Sequence, residues 1–510
     1  MSGAADPILV PKRPGVLALV LRDPAAAVAA FLVVSAVVLG LITGVFGGPL
    51  AGHSSVAREN EVSGAPGGSP SATPQVSTDQ SSASPSGTPG VSNTTRTDTA
   101  AALPRAVLLA ARPGDKPDAA TLAGRVRAVS RAGVGGVYSG SVVDVGTGRT
   151  VFAHRAGAAE IPASVNKVLT SAAVLSELGP EHRFITSVVR AGKKEIVLVG
   201  GGDPYLASKT TAKTYPARAS VSDLAAKTAV ALKKTKTTTV TLGYDASLFS
   251  GPAWNPTWPT GYADQTTPTS ALWVDEGRLT GVSPGPRTSD PAGQAARAFA
   301  AALKKKGIKV SAVAKKRAAA DDPTLAAVRS MPLERIVEQV LMASDNDGAE
   351  VLFRQVAVAA DRPGSISEAR KAMRVSLTRL KAWHEDTAVH DGSGLSRDNR
   401  IGAETLSRLL RLAAQESHPE LRGLITGLPV AGVEGSLKTR FAADDARPVR
   451  GMVRGKTGTL RGVYSLAGFV RTTDGTLLAY AFITNEASEY AAKRWLDGVA
   501  ASVATCGCRS

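Results

Sequence analysis

The chain has 510 residues, enough for two or three domains, and its 43% hydrophobic content supports a sizeable core. A formal net charge of +17, taken alone, suits a nucleic acid, an anionic lipid or an anionic polymer as surroundings. Two cysteines, Cys506 and Cys508, exclude a disulfide-dense scaffold, and the scattered histidines His53, His154, His182, His384, His390 and His418 offer no ligand-like neighbours, so neither a metal nor a cofactor is implied.

Residues 1–24 carry Lys12, Arg13 and Arg22 against Asp6 and Asp23, and the run from Ala25 to Phe46 is apolar and uncharged. As a helix it is about 33 Å long, against a hydrocarbon core of about 30 Å. The basic flank makes 1–24 a cytoplasmic N-terminus, 25–46 a transmembrane signal-anchor and everything after it extracytoplasmic. A cleaved signal peptide, with secretion, is the rival reading; its apolar stretch is usually about 7–15 residues and ends at a small-x-small site, which the region of Ala51 supplies poorly. Either way the folded part is exported, which removes nucleic acid as a partner and leaves acidic wall polymers or solubility to account for the charge. Residues 47–102 are rich in Ser, Thr, Pro and Gly, and between Gly64 and Asn93 almost no large apolar residue occurs. This stretch reads as a disordered tether with a typical reach of about 40 Å.

The pattern changes at Gly136. Val137 to Val145, a Gly146-Thr-Gly148 turn and Thr150 to His154 form a strand hairpin. It runs into Ile161-Pro-Ala-Ser164-Val-Asn-Lys167, where Val165, Val168, Leu169, Ala172, Ala173 and Leu175 predict a buried helix ending at Gly179-Pro180. Ser164 starts that helix and Lys167 follows one turn on, so hydroxyl and amine share a face. A serine hydroxyl needs a neighbour to take its proton, and a lysine does so only when burial or a second cation lowers its pKa. Alone, the pair reads equally as a helix cap and a snorkelling lysine.

Strand-like runs follow at Phe184 to Val189 and Glu195 to Val199, then a Gly200-Gly-Gly-Asp203-Pro204 loop. Residues 188–328 differ in character: Thr/Lys-rich segments, a strand at Thr237 to Leu242, an aromatic stretch with Trp254, Trp258, Tyr262 and Trp273, a helix from Pro291 to Lys306 and a strand from Ile308. They read as an insertion whose core the tryptophans pack. Leu333 to Met342 is an amphipathic helix and Gly348 to Ala359 a second one, with Ser344-Asp345-Asn346 between them. A polar loop from His390 to Asn399 and a helix from Ile401 to Ala413 come next. Arg454-Gly-Lys456-Thr457-Gly458-Thr459-Leu460, Val463 to Val470 and Leu477 to Ile483 are three antiparallel strands, closed by a helix from Ala487 to about Val503.

Ser164-x-x-Lys167, Ser344-Asp-Asn346 and Lys456-Thr-Gly458 thus stand in one order, the set shared by β-lactamases and penicillin-binding proteins. With Gly-Gly-Gly-Asp203-Pro, His390-Asp-Gly-Ser-Gly-Leu-Ser, Leu428-Pro-Val-Ala-Gly-Val and Lys456-Thr-Gly-Thr-Leu, and with the insertion between the first two motifs, Gly136 to Leu496 resembles the class C, low-molecular-mass D-alanyl-D-alanine carboxypeptidase/endopeptidase family of penicillin-binding proteins.

The resemblance implies a mixed α/β, penicillin-binding/β-lactamase-like transpeptidase fold, with a central antiparallel sheet flanked by helices. The catalytic domain is expected in two parts, 103–187 and 329–510, around an inserted accessory domain at 188–328. The implied activity is that of an exported serine-type D-Ala-D-Ala carboxypeptidase/endopeptidase acting on peptidoglycan stem peptides and acylated by β-lactams, without a cofactor; nothing in the sequence sets an oligomeric state. By the same resemblance Ser164 is the nucleophile and Lys167 its base, kept neutral partly by the charge of Lys456. Ser344 relays the proton to the leaving amine, Asn346 bonds the substrate amide, and Lys456 with Thr457 meets the terminal carboxylate. The backbone N–H groups of Ser164 and Thr459 form the oxyanion hole, and Gly458 lets substrate approach the strand edge. A β-lactamase shares the motifs but must deacylate fast, and a non-catalytic penicillin-binding wall sensor keeps the fold without turnover. Class A lactamases deacylate through a glutamate four positions before an asparagine, an arrangement that none of Asn60, Asn93, Asn166, Asn255, Asn346, Asn399 and Asn485 has; class C lactamases carry a tyrosine where this chain has Ser344.

Overall fold

A computed structural model describes residues 118–506, apart from 132, 135 and 212–216. The expected anchor at 25–46, the tether at 47–102 and Cys508 lie outside the described residues. In chain order the described part opens with α1 (Ala119–Arg131), β1 (Val137–Asp144), β2 (Thr150–His154) and α2 (Asn166–Leu178). It continues through β3 (Ile185–Gly192), β4 (Glu195–Val199), α3 (Val221–Lys234), β5 (Thr239–Asp245), α4 (Pro291–Lys305), β6 (Lys309–Lys315) and β7 (Thr324–Arg329). The last group is α5 (Leu333–Ala343), α6 (Asn346–Ala359), α7 (Ile366–Arg379), α8 (Ala403–Ala413), β8 (Val453–Leu460), β9 (Val463–Arg471), β10 (Leu477–Asn485) and α9 (Glu489–Ala504).

One five-stranded sheet has the order β2-β1-β10-β9-β8 and is antiparallel throughout. Its first and last strands in the sequence meet, with Val137 opposite Asn485. β10 shows why its sequence is continuously apolar. Leu477, Ala479, Ala481 and Ile483 feed a core shared with α2, α6 and α8, whereas Leu478, Tyr480 and Phe482 feed a second core under α1 and α9. Alternate side chains leave a strand on opposite faces, so a sheet covered on both faces needs apolar residues at every position. Helix α2 is the central element of the first core, buried from Asn166 to Leu175, and it ends, as its sequence predicts, at Gly179, whose φ of 77° suits glycine.

A second five-stranded sheet, β6-β5-β4-β3-β7, is mixed: β4, β5 and β6 run parallel, and β3 and β7 pair antiparallel. Parallel neighbours need crossover connections; α3 and α4 provide them and share one cluster with the sheet, including Leu224, Phe299 and Leu303. α4 begins where Pro291 fits the first turn and the Asp290 carboxylate accepts the Gly293 N–H.

The aromatic stretch departs from expectation. Trp273 is buried and donates Nε1–H to the Pro204 carbonyl at 3.0 Å, but Trp258, flanked by Trp254 and Tyr262, packs on Ala163, Leu395, Leu460 and Val463 rather than in the core of the second sheet. Polar partners decide this. Trp258 Nε1–H donates to Asp391 at 2.8 Å and the Asn255 amide donates to the His390 carbonyl at 2.8 Å, which ties the segment to the 390–399 loop.

Candidate active site

Ser164 lies in a short 3-10 turn, Ala163–Val165, immediately before α2. Ala163 has a φ of 51°, a value that costs a residue with a Cβ on the order of 1 kcal/mol or more. The turn is held by the Ser465 hydroxyl, which donates to the Pro162 carbonyl at 2.7 Å, and by full burial of Ala163 beneath Trp258 and Leu395. One turn on, the fully buried Lys167 places Nζ 2.9 Å from Ser164 Oγ, 2.8 Å from Asn346 Oδ1 and 2.7 Å from the Ser393 carbonyl. Two of these partners are carbonyl oxygens, which only accept. A neutral amine has two N–H groups and one electron pair, so with both N–H groups on the carbonyls the pair faces the Ser164 hydroxyl. Burial pushes Lys167 down to about 8, while the carboxylates of Asp391, Asp345, Glu350 and Asp347 pull the other way.

Ser344 ends α5 in the left-handed region, φ 55°. Asp345 caps α6, accepting the Asp347 N–H at 3.1 Å, so Asn346 is the first residue of that helix and points its amide oxygen at Lys167. The Asn346 amide N–H donates to the Gln265 carbonyl at 3.1 Å. Lys456, buried on β8, donates to Ser344 Oγ at 2.8 Å and to the Thr457 carbonyl at 2.8 Å. Burial, and then the charge of Lys167, drives Lys456 well below the usual lysine range. The expectation that Lys456 keeps Lys167 neutral therefore changes in emphasis: burial is the first cause for both amines.

Thr457 Oγ1 donates to Ser436 Oγ at 2.7 Å. With Thr459 it forms the β8 side of a cleft of about 640 Å³ that also exposes Ser164, Ser344 and Asn346, with Tyr262 and Leu460 at its walls. Gly458 faces away from that cleft. A Cβ there would run into Ser465 Oγ and would lie 2.7 Å from the Pro162 carbonyl, so the glycine serves close packing of β8 on the Ser164 turn rather than approach of substrate. This corrects the expected reason for it, since successive residues on a strand alternate faces.

The three motifs are thus brought to one cleft. Sequence reasoning missed the Ser393 carbonyl, the Gln265 carbonyl, Ser436 and the carboxylate of Glu350 behind the 390–399 loop. The phrase around Ser393 was visible, but main-chain atoms perform its contact and no side-chain pattern reports them. A second cleft of about 750 Å³ adjoins at Ser344 and Asn346. Beside it Glu276, Asp345 and Asp347 bring oxygens within 4.8 Å of one another, but Arg278 Nη2 lies 3.2 Å from Glu276 and Arg287 Nη1 lies 2.9 Å from Asp347, so guanidinium groups already balance these carboxylates.

Residues 127–284 and 280–505 match the D-Ala-D-Ala carboxypeptidase 3 (S13) family. A carboxypeptidase of Mycobacterium tuberculosis is 37% identical over 386 residues, which are 73% of this chain and 81% of that one. Carboxypeptidase DacB of Mycolicibacterium smegmatis is 37% identical over 385 residues, with the same coverage of 73% and 81%. In fold, the chain is similar to penicillin binding protein 4 (dacB) of Haemophilus influenzae, with a TM-score of 0.60 at 21% identity over 73% of this chain and 98% of that one. A family match running through nearly all the described residues, and relatives at this identity over most of their own length, make the chain a member of the D-Ala-D-Ala carboxypeptidase 3 (S13) family.

Proposed function

We propose that Ser164 is the nucleophile of this serine-type D-Ala-D-Ala carboxypeptidase and that its substrate is the D-Ala-D-Ala end of a peptidoglycan stem peptide. One observation carries the reading: a buried amine 2.9 Å from the Ser164 hydroxyl with its remaining positions taken by two carbonyl oxygens. Lys167 accepts the Ser164 proton as Oγ attacks the penultimate D-Ala carbonyl. The backbone N–H groups of Ser164 and Thr459 receive the oxyanion. As the carbonyl re-forms, the C–N bond breaks and the proton that Lys167 took from Ser164 passes through Ser344 to the leaving amine, which returns Lys167 to the free base; the Ser344 hydroxyl lies 2.8 Å from Lys456 Nζ. Asn346 holds the substrate amide, and Lys456 with Thr457 meets the terminal carboxylate. Water, giving a proton to Lys167, then attacks the ester carbonyl, and Lys167 returns that proton to Ser164 Oγ as the C–O bond breaks, which frees Ser164 and leaves the acid product. A D-Ala whose carbonyl is amide-linked to a second stem peptide offers the same bond, which gives the endopeptidase reaction. We assign 103–187 and 329–510 to the catalytic domain, 188–328 to an inserted domain, and 25–46 with 47–102 to a membrane anchor and its tether.

A β-lactam presents a similar amide, but its leaving group stays tethered after ring opening and obstructs the deacylating water. Incubation with penicillin should therefore add one drug mass to the intact protein, on the peptide carrying Ser164, for far longer than one peptide turnover. Ser164→Ala should take up none and should release D-Ala from a stem peptide at least about 1,000-fold more slowly. Rapid penicillin turnover by the wild type would favour a β-lactamase, and an adduct on Ser164→Ala would remove Ser164 from the mechanism. Full-length protein in the membrane fraction, with its N-terminus intact, is the expected outcome for the anchor; a mature N-terminus near residue 52 would mean a cleaved signal.

A further inference from the structure

Lys167 is aimed at Ser164 by two carbonyl oxygens, and each is set by helix α6. The first is the Asn346 side chain at the start of that helix. The second, the Ser393 carbonyl, belongs to the loop between His390 and Asn399, and what holds this loop is one turn further along α6. Glu350 is buried, and a single oxygen of its carboxyl, Oε1, accepts both the Gly392 N–H at 3.0 Å and the Ser393 N–H at 2.7 Å. Two consecutive N–H groups on one carboxylate oxygen fix the Gly392–Ser393 peptide, and the next peptide, which carries the Ser393 carbonyl, has its Gly394 N–H on Asp391 Oδ1 at 2.9 Å. The loop is pressed against α6 closely enough that a Cβ on Gly392 would meet the Ala349 carbonyl, and against the Ser164 turn closely enough that one on Gly394 would meet the Ala163 carbonyl. Thr170 and Asn166 of α2 add hydrogen bonds to the Gly392 and Asp391 carbonyls, each at 2.8 Å. Nothing else among the described residues is bonded to the two N–H groups.

We propose that Glu350 is a positioning residue for the catalytic base: by holding the Gly392 and Ser393 N–H groups it fixes the peptide that enters Ser393 and, with Asp391 holding the Gly394 N–H of the peptide that leaves it, sets the Ser393 carbonyl on Lys167, so that the amine's electron pair faces the Ser164 hydroxyl. The inference rests on the reading of Ser164 and Lys167 as nucleophile and base. Glu350 touches neither substrate nor Ser164; it acts through the peptide.

The groups facing Glu350 are Asp391 from the loop, Arg354 from its own helix and Lys167 from α2. Asp345 and Asp347 also act on Lys167, and the second buried amine, Lys456, is lowered in turn by the Lys167 charge. Burial, aided by Asp391, raises Glu350 to about 8, the value to which burial lowers Lys167, so the two groups lose their protons over the same range. An ionised Glu350 favours the ammonium of Lys167. Its replacement by a neutral side chain should move the rising limb of the rate profile to lower pH.

The test compares Glu350→Gln with Glu350→Ala in the full chain. It follows penicillin acylation against pH, thermal melting, and the Lys167 ε-carbon NMR signal through the same titration. Glutamine keeps an oxygen for the two N–H groups, so Glu350→Gln should acylate within about 10-fold of wild type, with the Lys167 titration and the rate midpoint both displaced downward by roughly half a pH unit. Glu350→Ala leaves the Gly392 and Ser393 N–H groups without an acceptor and should lose about 100-fold in the acylation step, with the initial binding of penicillin changed less than about threefold. Wild-type rates and titration in both variants would overturn the proposal. So would equal losses in both that track the fall in melting temperature while the Lys167 titration stays in place, since that is the signature of packing alone. A wild-type protein that takes up no drug at Ser164 would overturn the nucleophile instead, and the Lys167 signal would still report whether Glu350 acts on the amine.

Discussion

Lys167 is costly to bury and useful because of it. An amine brought down to about 8 is partly neutral under physiological conditions, and in the proposed mechanism only the neutral form accepts the Ser164 proton. The sign follows directly: as pH rises through about 8 the fraction of free base grows, so penicillin acylation should rise and then level off. Lys456→Ala should raise the midpoint only slightly, by less than about one pH unit, because burial is the first cause for Lys167 and the Lys456 amine is itself held well below the usual lysine range, so little cationic charge is lost. The same variant should weaken binding of a peptide with a free terminal carboxylate more than that of its amide. A stopped-flow pH profile of both proteins checks this, and a midpoint that falls in the variant would contradict it. Ser164 and Lys167 were legible in sequence because a spacing of three puts two side chains on one helical face. The carbonyl of Ser393 was not, since every residue carries a carbonyl and only the fold decides where it points.

Elements were legible in proportion to their side-chain contrast. The helix expected from Pro291 to Lys306 ends one residue earlier, and the strand expected from Val463 to Val470 ends one residue later. By contrast α3 and α7 went unread. The buried face of α7 is Ala369, Ala372, Met373, Ser376 and Leu377, at helical spacing but built largely from small residues, so it stands out weakly from the Arg, Lys and Glu around it. The segment around Trp258 was misplaced for a different reason: its indole N–H is committed to a carboxylate 133 positions away, and no local pattern reports such a partner. Trp258→Phe keeps an aromatic ring, smaller than the indole, and removes that donor, leaving Asp391 one hydrogen bond short. The expected cost is about 1–3 kcal/mol, read as a lower melting temperature, with slower penicillin acylation because Asp391 also accepts the Gly394 and Ser396 N–H groups. Unchanged melting and acylation would mean that the 390–399 loop holds its shape without the indole.

At the scale of the molecule, the cleft is assembled from α2, α6 and β8, three elements far apart in sequence, on a sheet with a core on each face. The chain's last turn is peripheral to that assembly. Cys506 is buried in the second core and is not a free thiol, on the far side of the sheet from α2. Cys506→Ser combined with Cys508→Ser should therefore lower thermal stability while leaving acylation by penicillin within about twofold. Loss of acylation would give the tail a part in shaping the cleft.

The pairing of β1 with β10 also bears on how the enzyme comes into being. A polypeptide made from its N-terminus delivers β1, the Ser164 turn and α2 first, and β8 and β10 nearly last. Until β10 arrives, β1 has β2 on one side only, and the apolar flanks of both lie open to other chains. Contacts between such distant parts of a sequence form slowly. The acylating centre is equally late: Lys456, the partner of Ser344, enters with β8. An emerging or prematurely ended chain therefore carries the proposed nucleophile without the apparatus to use it, so the enzyme stays silent until β8 and β10 are delivered, and in that interval it depends on whatever shelters its unpaired strands.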